Sequence, residues 1–361
     1  HRQKQSPGAD MTKTVIIGAG GTGGHILPAV AIAKELRSMG FRVVLAGLGS
    51  ELENAVSMEF ERRSIPALSP SMNPAKFIKY LSILNKGIKV ANELIDELKP
   101  SCVLGMGNFS SVPLVIAASK KSIPVALHEQ NAIGGRANRL LSRRTDLVMV
   151  GFEGTIGFPP GKVRVVGNPI RWSSIEPKKP EAYKKLGLDP KKKTVVIFGG
   201  SQGAKILNDV FLSLGKEIVE NNEIQWLLIS GSKTYDETKK NFNSRSYKNA
   251  VLLEYLGEMD LVYSVADVIV SRAGAMTISE IECSGVPAIL VPRALSINNH
   301  QMLNAAYLSK KGNCTVLEET QVREKLEGAI FSMMAKQRNP RNCMHQDAGK
   351  RIAEILLAIS R

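Results

Sequence analysis

The sequence predicts an α/β protein of two Rossmann-like domains whose parallel sheets face an interdomain cleft. Three observations carry that expectation. Thr14-Val-Ile-Ile-Gly-Ala-Gly-Gly-Thr-Gly-Gly-His-Ile-Leu27 can be laid over Thr194-Val-Val-Ile-Phe-Gly-Gly-Ser-Gln-Gly-Ala-Lys-Ile-Leu207 at a constant offset. Each copy starts as a β-branched run, passes through glycines and enters an apolar-periodic helix, the first turn of a βαβ unit. Short hydrophobic runs then alternate with helical patterns through both halves, which reads as mostly parallel sheet covered on both faces. Finally, 361 residues exceed the ~250 to 300 at which a single core stops growing, so two domains are expected.

In the first half the strand candidates are Thr14–Ile17, Arg42–Ala46, Cys102–Leu104, Val125–His128, Leu147–Val150 and Val163–Val166. The second half repeats the series with Thr194–Phe198, Gln225–Ser230, Val251–Glu254, Val268–Ser271 and Ala288–Val291. Between them Gly167-Asn-Pro-Ile-Arg171 leads into a Pro- and Lys-rich stretch ending at Pro190, and a proline amid polar, breaker-rich sequence marks a linker. The boundary falls near Asn168, which divides the chain into residues 11–168 and 169–341. Residues 342–361 form a final helix that is a candidate to cross back onto the first domain. His1–Asp10 are polar and aperiodic, precede Met11, and are expected to be a tag or disordered tail.

Hydrophobic residues make up 43% and charged residues 22%, and no run approaches the ~18 to 20 apolar residues of a membrane span, so neither disorder nor an integral membrane protein is indicated. Lys+Arg outnumber Asp+Glu by 48 to 33, and a net charge of +15 favours an acidic partner: nucleic acid, an anionic bilayer or a phosphorylated substrate. With aromatics at 5% and no helix-turn-helix, zinc or aromatic-basic module, nucleic acid ranks last. Cys102, Cys283, Cys314 and Cys343 lack CxxC spacing and no signal peptide precedes Met11, which leads us to expect reduced thiols in a cytosol.

Gly18-Ala-Gly-Gly-Thr-Gly23 fits the dinucleotide pattern GxGxxG, but that site also needs an acid ending the second strand, where Leu45-Ala46-Gly47 stands and Glu51 is out of place. An ATP-type P-loop needs GxxxxGK followed by Ser or Thr, and neither loop has the lysine. Both loops do supply bare backbone: glycines let N–H groups approach an anion, and the helix dipole favours it. Two such loops across a cleft would hold one diphosphate or two acidic ligands.

Two further loops follow strands of the first half, Gly105-Met-Gly-Asn-Phe-Ser-Ser111 and His128-Glu-Gln-Asn131. The latter gathers a titratable base, a carboxylate and two amides; either His128 and Glu129 contact substrate, or they cap and orient loops. In the second half, Ser271-Arg-Ala-Gly-Ala-Met-Thr-Ile-Ser-Glu280 follows a strand and opens a helix in which Thr277 can cap. Glu280, about one turn in, either accepts the vicinal hydroxyls of a ribose or complements the helix dipole. Asn298-Asn-His-Gln301 adds four polar side chains after Pro292.

Taken in order and spacing, GGTGGHILPAVAIAKEL, GMGNFSSVP, HEQNAIGGRANRLL, VGNPIR, GGSQGA, RAGAMTISE and NNHQMLNA resemble the MurG family of glycosyltransferases, from about Thr14 to Ala305. The resemblance implies the GT-B architecture. It also implies transfer of N-acetylglucosamine from UDP-GlcNAc to undecaprenyl-pyrophosphoryl-MurNAc-pentapeptide (lipid I), giving lipid II. Carried over by motif, the backbone of Leu256 would read the uracil edge and Glu280 the ribose. Ser201 and Gln202, with backbone from Ala275, Met276 and Thr277, would hold the diphosphate, with Arg171 and Arg272 as countercharges. His300, Gln301 and Asn304 would contact the hexose, and Thr22, Gly23, Gly24 and Asn131 would complete the donor site from the first domain. The acceptor's diphosphate and sugar would lie over Gly20, Gly21, Gly105, Gly107, Asn108 and Asn138. One departure stands out: the family's GxGGY loop here has Asn108 and Phe109 in place of its second glycine and its tyrosine, so a role needing that phenol has no residue.

The implied chemistry is a single displacement with inversion, in which the MurNAc 4-hydroxyl attacks, a base takes its proton and UDP departs. His25 is the favoured base, since an imidazole pKa near 6.5 suits proton transfer at neutral pH; its rival is His128 with Glu129. No D-x-D pair occurs, so neither a metal nor another cofactor is expected. A lipid-linked acceptor implies peripheral attachment to the cytoplasmic face of the inner membrane, at an anionic surface, with other cell-wall synthesis and division proteins as further partners. Within Met72–Leu94, Phe77, Leu81, Leu84 and Ile88 form one stripe with Lys79 and Lys86 opposite and Lys76 and Lys89 flanking, which suits a bilayer surface or, read the other way, docking on the sheet. The alternatives are another GT-B enzyme acting on a lipid and an NAD-dependent oxidoreductase, the latter disfavoured by the missing strand-end acid.

Overall fold

The computed structural model describes residues 13–21, 23–50, 53, 57–172, 175–296, 299–339 and 343–360. The expected tail at His1–Asp10, together with Thr22, Glu51, Asn298 and Asn342, lies outside them. Seven parallel strands build the first sheet: β1 (Thr14–Gly18), β2 (Arg42–Gly47), β3 (Glu61–Ser64), β4 (Cys102–Gly105), β5 (Val125–Glu129), β6 (Leu147–Val150) and β7 (Val163–Val165), in spatial order β3-β2-β1-β4-β5-β6-β7. Six more build the second: β8 (Lys193–Phe198), β9 (Ile224–Ile229), β10 (Ala250–Leu253), β11 (Val268–Ser271), β12 (Ala288–Leu290) and β13 (Cys314–Val316), in order β10-β9-β8-β11-β12-β13. Apart from β7, which has no counterpart in the second sheet, the two orders coincide strand for strand, the structural counterpart of the repeated opening motif.

Helices α1 (Gly23–Ser38), α2 (Pro74–Leu98), α3 (Val112–Lys120) and α4 (Arg136–Leu141) accompany the first sheet. The second half carries α5 (Pro180–Leu186), α6 (Lys205–Ser213), α7 (Lys216–Val219), α8 (Tyr235–Arg245), α9 (Met259–Val265), α10 (Ala275–Ser284), α11 (His300–Ser309) and α12 (Val322–Met334), and α13 (Ala348–Ile359) closes the chain. Because strand side chains alternate, each sheet has a core on either face. Val15, Ile17 and Leu104 pack under α1, whereas Ile16, Val103 and Leu127 pack under α2 and α3. In the second sheet Val195, Ile197 and Trp226 point one way and Val196, Phe198 and Leu227 the other. Each sheet reverses direction of growth between its first and fourth strands, β1/β4 and β8/β11, and the glycine loops leave the carboxyl ends of these strands.

Two strands escape the sequence reading. β3 spells Glu-Arg-Arg-Ser, with no hydrophobic alternation; it is an edge strand pinned by its ladder to β2 and by ion pairs of Glu61 with Arg42 (2.7 Å) and of Arg63 with Glu97 on α2 (3.0 Å). β13 is a three-residue edge beside β12. The thiol expectation is corrected too: Cys283 and Cys343, sixty residues apart, form a disulfide with Cα atoms 5.3 Å apart, while Cys102 and Cys314 are free. They meet only because the chain returns past the end of α10 before α13, a tertiary approach that spacing alone does not reveal. Among the described residues no helix is long and apolar enough to cross a membrane.

The chain crosses between the halves twice. After β7 it passes through buried Gly167-Asn168-Pro169-Ile170, and before α13 it returns alongside, so that the Asn168 N–H donates to His345 Nδ1 at 2.8 Å. Arg351 ties the two strands of this linker by donating to Val166 O and Met344 O at 2.5 and 3.0 Å. α13 then packs on α1 and buries Ile352, Ala353, Ile355 and Leu356 in the core of the first sheet. Ile352 is fully buried, so Ile352→Ala should lower unfolding stability by about 2 to 4 kcal/mol through the cavity it leaves. A urea midpoint equal to the parent's would show that α13 is no part of that core.

Candidate active site

A cavity of about 370 Å³ opens between the two domains and draws its walls from the loops at both switch points. From the first domain come Gly23, Gly24, His25 and Leu27 at the start of α1, together with Gln130 and Asn131 after β5. From the second come Phe198, Gly200 and Ser201 after β8, Ile229, Tyr255, Leu256, Met259, the first turn of α10, Glu280 and His300, with Arg171 from the linker.

The second-domain wall is built to receive an anion beside a polar, partly apolar pocket. α10 begins at Ala275 after Gly274, whose extended backbone offers no side-chain cap, so the first-turn N–H groups of Ala275, Met276 and Thr277 carry the dipole's positive end into the cavity. The sequence-suggested cap by Thr277 does not form. Gly200 and Gly203 hold the loop after β8 at φ of +89° and +84°. At Gly203 a Cβ would lie 2.1 Å from Ser230 O, so only glycine lets this loop cross the strand ends.

One turn into α10, Glu280 is 6% exposed and accepts a hydrogen bond from the Tyr263 hydroxyl at 2.9 Å. Burial pushes its carboxyl up to about 7, against the opposing pull of the Arg171 charge and the Tyr263 hydrogen bond. Arg171 itself donates to Gly257 O at 2.8 Å and remains exposed at the cavity rim.

On the first-domain wall His25 is half-buried, its Nδ1 3.0 Å from Met106 O and 3.1 Å from Gln130 Oε1. The loop carrying Met106 approaches this closely because Gly107 adopts φ of +84°; a Cβ there would stand 3.0 Å from Asn138 Nδ2 and 3.6 Å from the His25 ring. His128 lies behind, fully buried, with Nε2 on Gly167 O at 3.0 Å and Nδ1 on Gln130 Nε2 at 3.1 Å. Burial drives its pKa down to about 4, and both ring nitrogens are occupied, so it has no lone pair to offer a substrate. Glu129 is likewise saturated: it accepts from the Asn131 N–H and side-chain amide (3.1 and 3.0 Å), Gly135 N (2.8 Å) and Asn138 Nδ2 (3.0 Å). Of the two alternatives for His128 and Glu129, the geometry is that of loop orientation.

Several sequence-selected residues stand elsewhere. Arg272 donates to Val291 O at 3.0 Å and pairs with Glu319 at 2.5 Å, so its charge is spent inside the second domain. The Gln301 carbonyl accepts the Arg293 N–H at 2.8 Å, and neither Gln301 nor Gln202 lines the cavity. Asn304 is fully buried and joins the domains, accepting from Ala132 N (2.9 Å) and donating to Asn131 Oδ1 and Ala273 O (both 3.1 Å). Asn138 is buried beneath the loop after β5, donating to His128 O, and Gly105 is packed against Leu127 and Val115 at the end of β4. Around Gly20 and Gly21 the space is taken: Glu53 accepts the Gly21 N–H at 3.0 Å, and Asn108, at φ of +63°, donates to Gly20 O at 3.1 Å. Thr22 lies outside the described residues.

The sequence reading passed over Glu53, Gln130, Tyr263 and Met106. Gln130 sat within a quoted motif, and Met106 acts through its carbonyl, which no side-chain pattern signals.

The Glu280 environment has a pH signature. Its folded carboxyl holds a proton more tightly than the ordinary carboxyl at 4.5, so between pH 4.5 and about 7 the stability it contributes falls as pH rises. Glu280→Gln should match the parent near pH 4 and exceed it at pH 8 by up to about 3 kcal/mol in urea unfolding. Equal differences at the two pH values would mean the carboxyl is not held in a desolvated site.

Residues 15–150 match the glycosyltransferase family 28 N-terminal domain and residues 194–357 the glycosyltransferase family 28 C-terminal domain. The chain is 35% identical over 320 residues to the UDP-N-acetylglucosamine--N-acetylmuramyl-(pentapeptide) pyrophosphoryl-undecaprenol N-acetylglucosamine transferase of Halalkalibacterium halodurans, covering 85% of this chain and 86% of that one. The likewise named protein of Caldanaerobacter subterraneus is 35% identical over 364 residues, with 96% and 99% covered. Among solved structures, Acinetobacter baumannii MurG is similar with a TM-score of 0.69 and 26% identity, over 96% of this chain and 99% of that one. The facing parallel-sheet domains are the GT-B fold, and the chain belongs to glycosyltransferase family 28 and, within it, to the MurG family.

Proposed function

We propose that this protein transfers N-acetylglucosamine from UDP-GlcNAc to the C4 hydroxyl of MurNAc in lipid I, with inversion, to form lipid II. The observation that carries the reading is the single cavity in which a bare helix N-terminus and a buried carboxyl from one domain meet a histidine from the other. In this reading the uracil lies against Phe198, Tyr255 and Leu256, and Glu280 gives up its proton to accept the ribose diol. The diphosphate takes the N–H groups of Ala275 and Met276 and the Gly200–Ser201 backbone, with Arg171 as countercharge. Stabilising the departing UDP falls to these groups, and no step calls for a metal or cofactor.

His25 is the proposed base: it lines the cavity from the first domain, and its Met106 and Gln130 partners both lie at Nδ1, away from Nε2. His25→Ala should lower kcat by about 10² to 10⁴ while calorimetric UDP binding stays within twofold, and parent turnover should persist in EDTA. Near-parent turnover in the variant removes His25 from the chemistry; loss in EDTA removes the metal-free step.

The acceptor's polyprenyl tail calls for a bilayer, and α2 supports a docking surface on the first domain. Its buried side is Tyr80, Gly87, Ala91, Leu94, Ile95 and Leu98. The sequence stripe divides: Leu84 and Ile88 are half-buried, whereas Phe77 and Leu81 are exposed, alongside Ile78 at 69% and Met72 at full exposure. Exposed apolar side chains interleaved with Lys76 and Lys79 suit the headgroup boundary of an anionic leaflet, and they support a reading in which the protein works peripherally on the cytoplasmic face. Replacing Lys79 and Lys86 together by Glu should weaken sedimentation with vesicles containing anionic lipid at least tenfold; unchanged sedimentation discards this surface.

A further inference from the structure

Two backbone carbonyls determine where four side-chain hydrogens sit behind the cavity. Met106 O lies 3.0 Å from His25 Nδ1 and 3.0 Å from Gln130 Nε2. A carbonyl only accepts, so both atoms facing it carry hydrogen: His25 keeps its proton on Nδ1, and the Gln130 amide turns its NH₂ toward Met106. The Gln130 carbonyl oxygen then falls 3.1 Å from the same His25 N–H as a second acceptor. The remaining amide hydrogen points at His128 Nδ1, 3.1 Å away, which must accept it. His128 is therefore protonated on Nε2, and that N–H donates to Gly167 O at 3.0 Å. Every group in the series has one self-consistent role, and a carbonyl closes it at either end.

We infer that Gln130 is the positioning residue for the base: it holds His25 as the Nδ1–H tautomer, leaving the lone pair on Nε2, and links it through His128 to the Gly167 carbonyl in the interdomain linker. The inference rests on the reading of His25 as base. A neutral amide is suited to the task. A carboxylate at this place would also orient the ring, but its charge would stabilise imidazolium and keep the base protonated near neutral pH. Gln130 is 2% exposed and His128 fully buried, so neither hydrogen bond is open to exchange with water. Burial also lowers the His128 pKa, which keeps that ring neutral and preserves the pattern. The other titratable groups around His25 are Glu129, locked by its four donors, Glu53 at the Gly21 N–H, and Arg171, Glu280 and His300 on the cavity walls.

The test uses the full chain labelled with ¹⁵N-histidine. Two-bond ¹⁵N–¹H correlation spectra at pH 8 should show His25 protonated on Nδ1 and His128 on Nε2. The opposite tautomer at His25, or averaging between the two, overturns the inference whatever the activity. A kinetic arm separates positioning from packing. Gln130→Glu should move the acid limb of the kcat–pH profile up by about one unit, with KM for UDP-GlcNAc within twofold. Gln130→Met should lower kcat at least tenfold and raise the minor Nε2–H population of His25 in the spectrum, the Met106 carbonyl alone still favouring the Nδ1–H form. An acid limb that stays in place in a folded Gln130→Glu variant assigns Gln130 to packing alone. Near-parent turnover in His25→Ala would instead defeat the base reading, while the spectra would still report on the tautomers.

Discussion

Two buried asparagines hold the halves of this protein in one register, and the cleft depends on them. Asn304, on α11, reaches across to the loop after β5, and Asn168, in the linker, donates to Gln130 O at 3.0 Å and to Ser279 Oγ on α10 at 2.9 Å. Both are fully buried. An amide stripped of its partners in such a place costs about 1 to 3 kcal/mol, so a relative shift that broke these bonds would be opposed at each of them. Because α10 and the β5 loop also carry the two walls of the cavity, the bonds that join the domains are the ones that align the chemistry.

The walls differ in how they handle charge. The second domain collects positive potential from the α10 N-terminus and sets against it a carboxyl whose pKa burial raises to about 7, a group that can change charge near neutral pH. The first domain places amides and carbonyls behind His25, so the ring is oriented by dipoles rather than by a neighbouring ion. Glu53 and Glu129, its nearby carboxylates, are both engaged by N–H donors.

Most of the architecture was legible because it is written in period and repetition. Buried parallel strands are continuous β-branched runs, and a glycine loop must follow a strand and open a helix, so each found element carried its own mark. β3 lacked that mark because an edge strand can be held by ion pairs, and β13 because three residues make no period. Of the residues that the motifs singled out, Glu280, Ser201 and His25, on helix starts or loops, line the cavity. Arg272, Gln301 and Asn304 share the same motifs yet turn to partners inside the protein, and a motif fixes a residue's position on the backbone without fixing which way its side chain goes. Gln130 and Glu53 draw their roles from contacts to atoms 24 and 32 positions away, Met106 O and Gly21 N, which only the folded chain brings within reach.

The return of α13 to the first sheet bears on how the molecule is made. Ribosomal synthesis proceeds from the amino end, yet Ile352, Ala353 and Leu356 belong to the core beneath α1 and emerge only after the whole second sheet. Until they do, the nascent amino-terminal half carries an open apolar groove along α1, and it cannot reach its final packing while the rest of the polypeptide is still being threaded. A cut at the linker would leave the same groove vacant, so the two halves are separable as sheets but not as autonomous folding units.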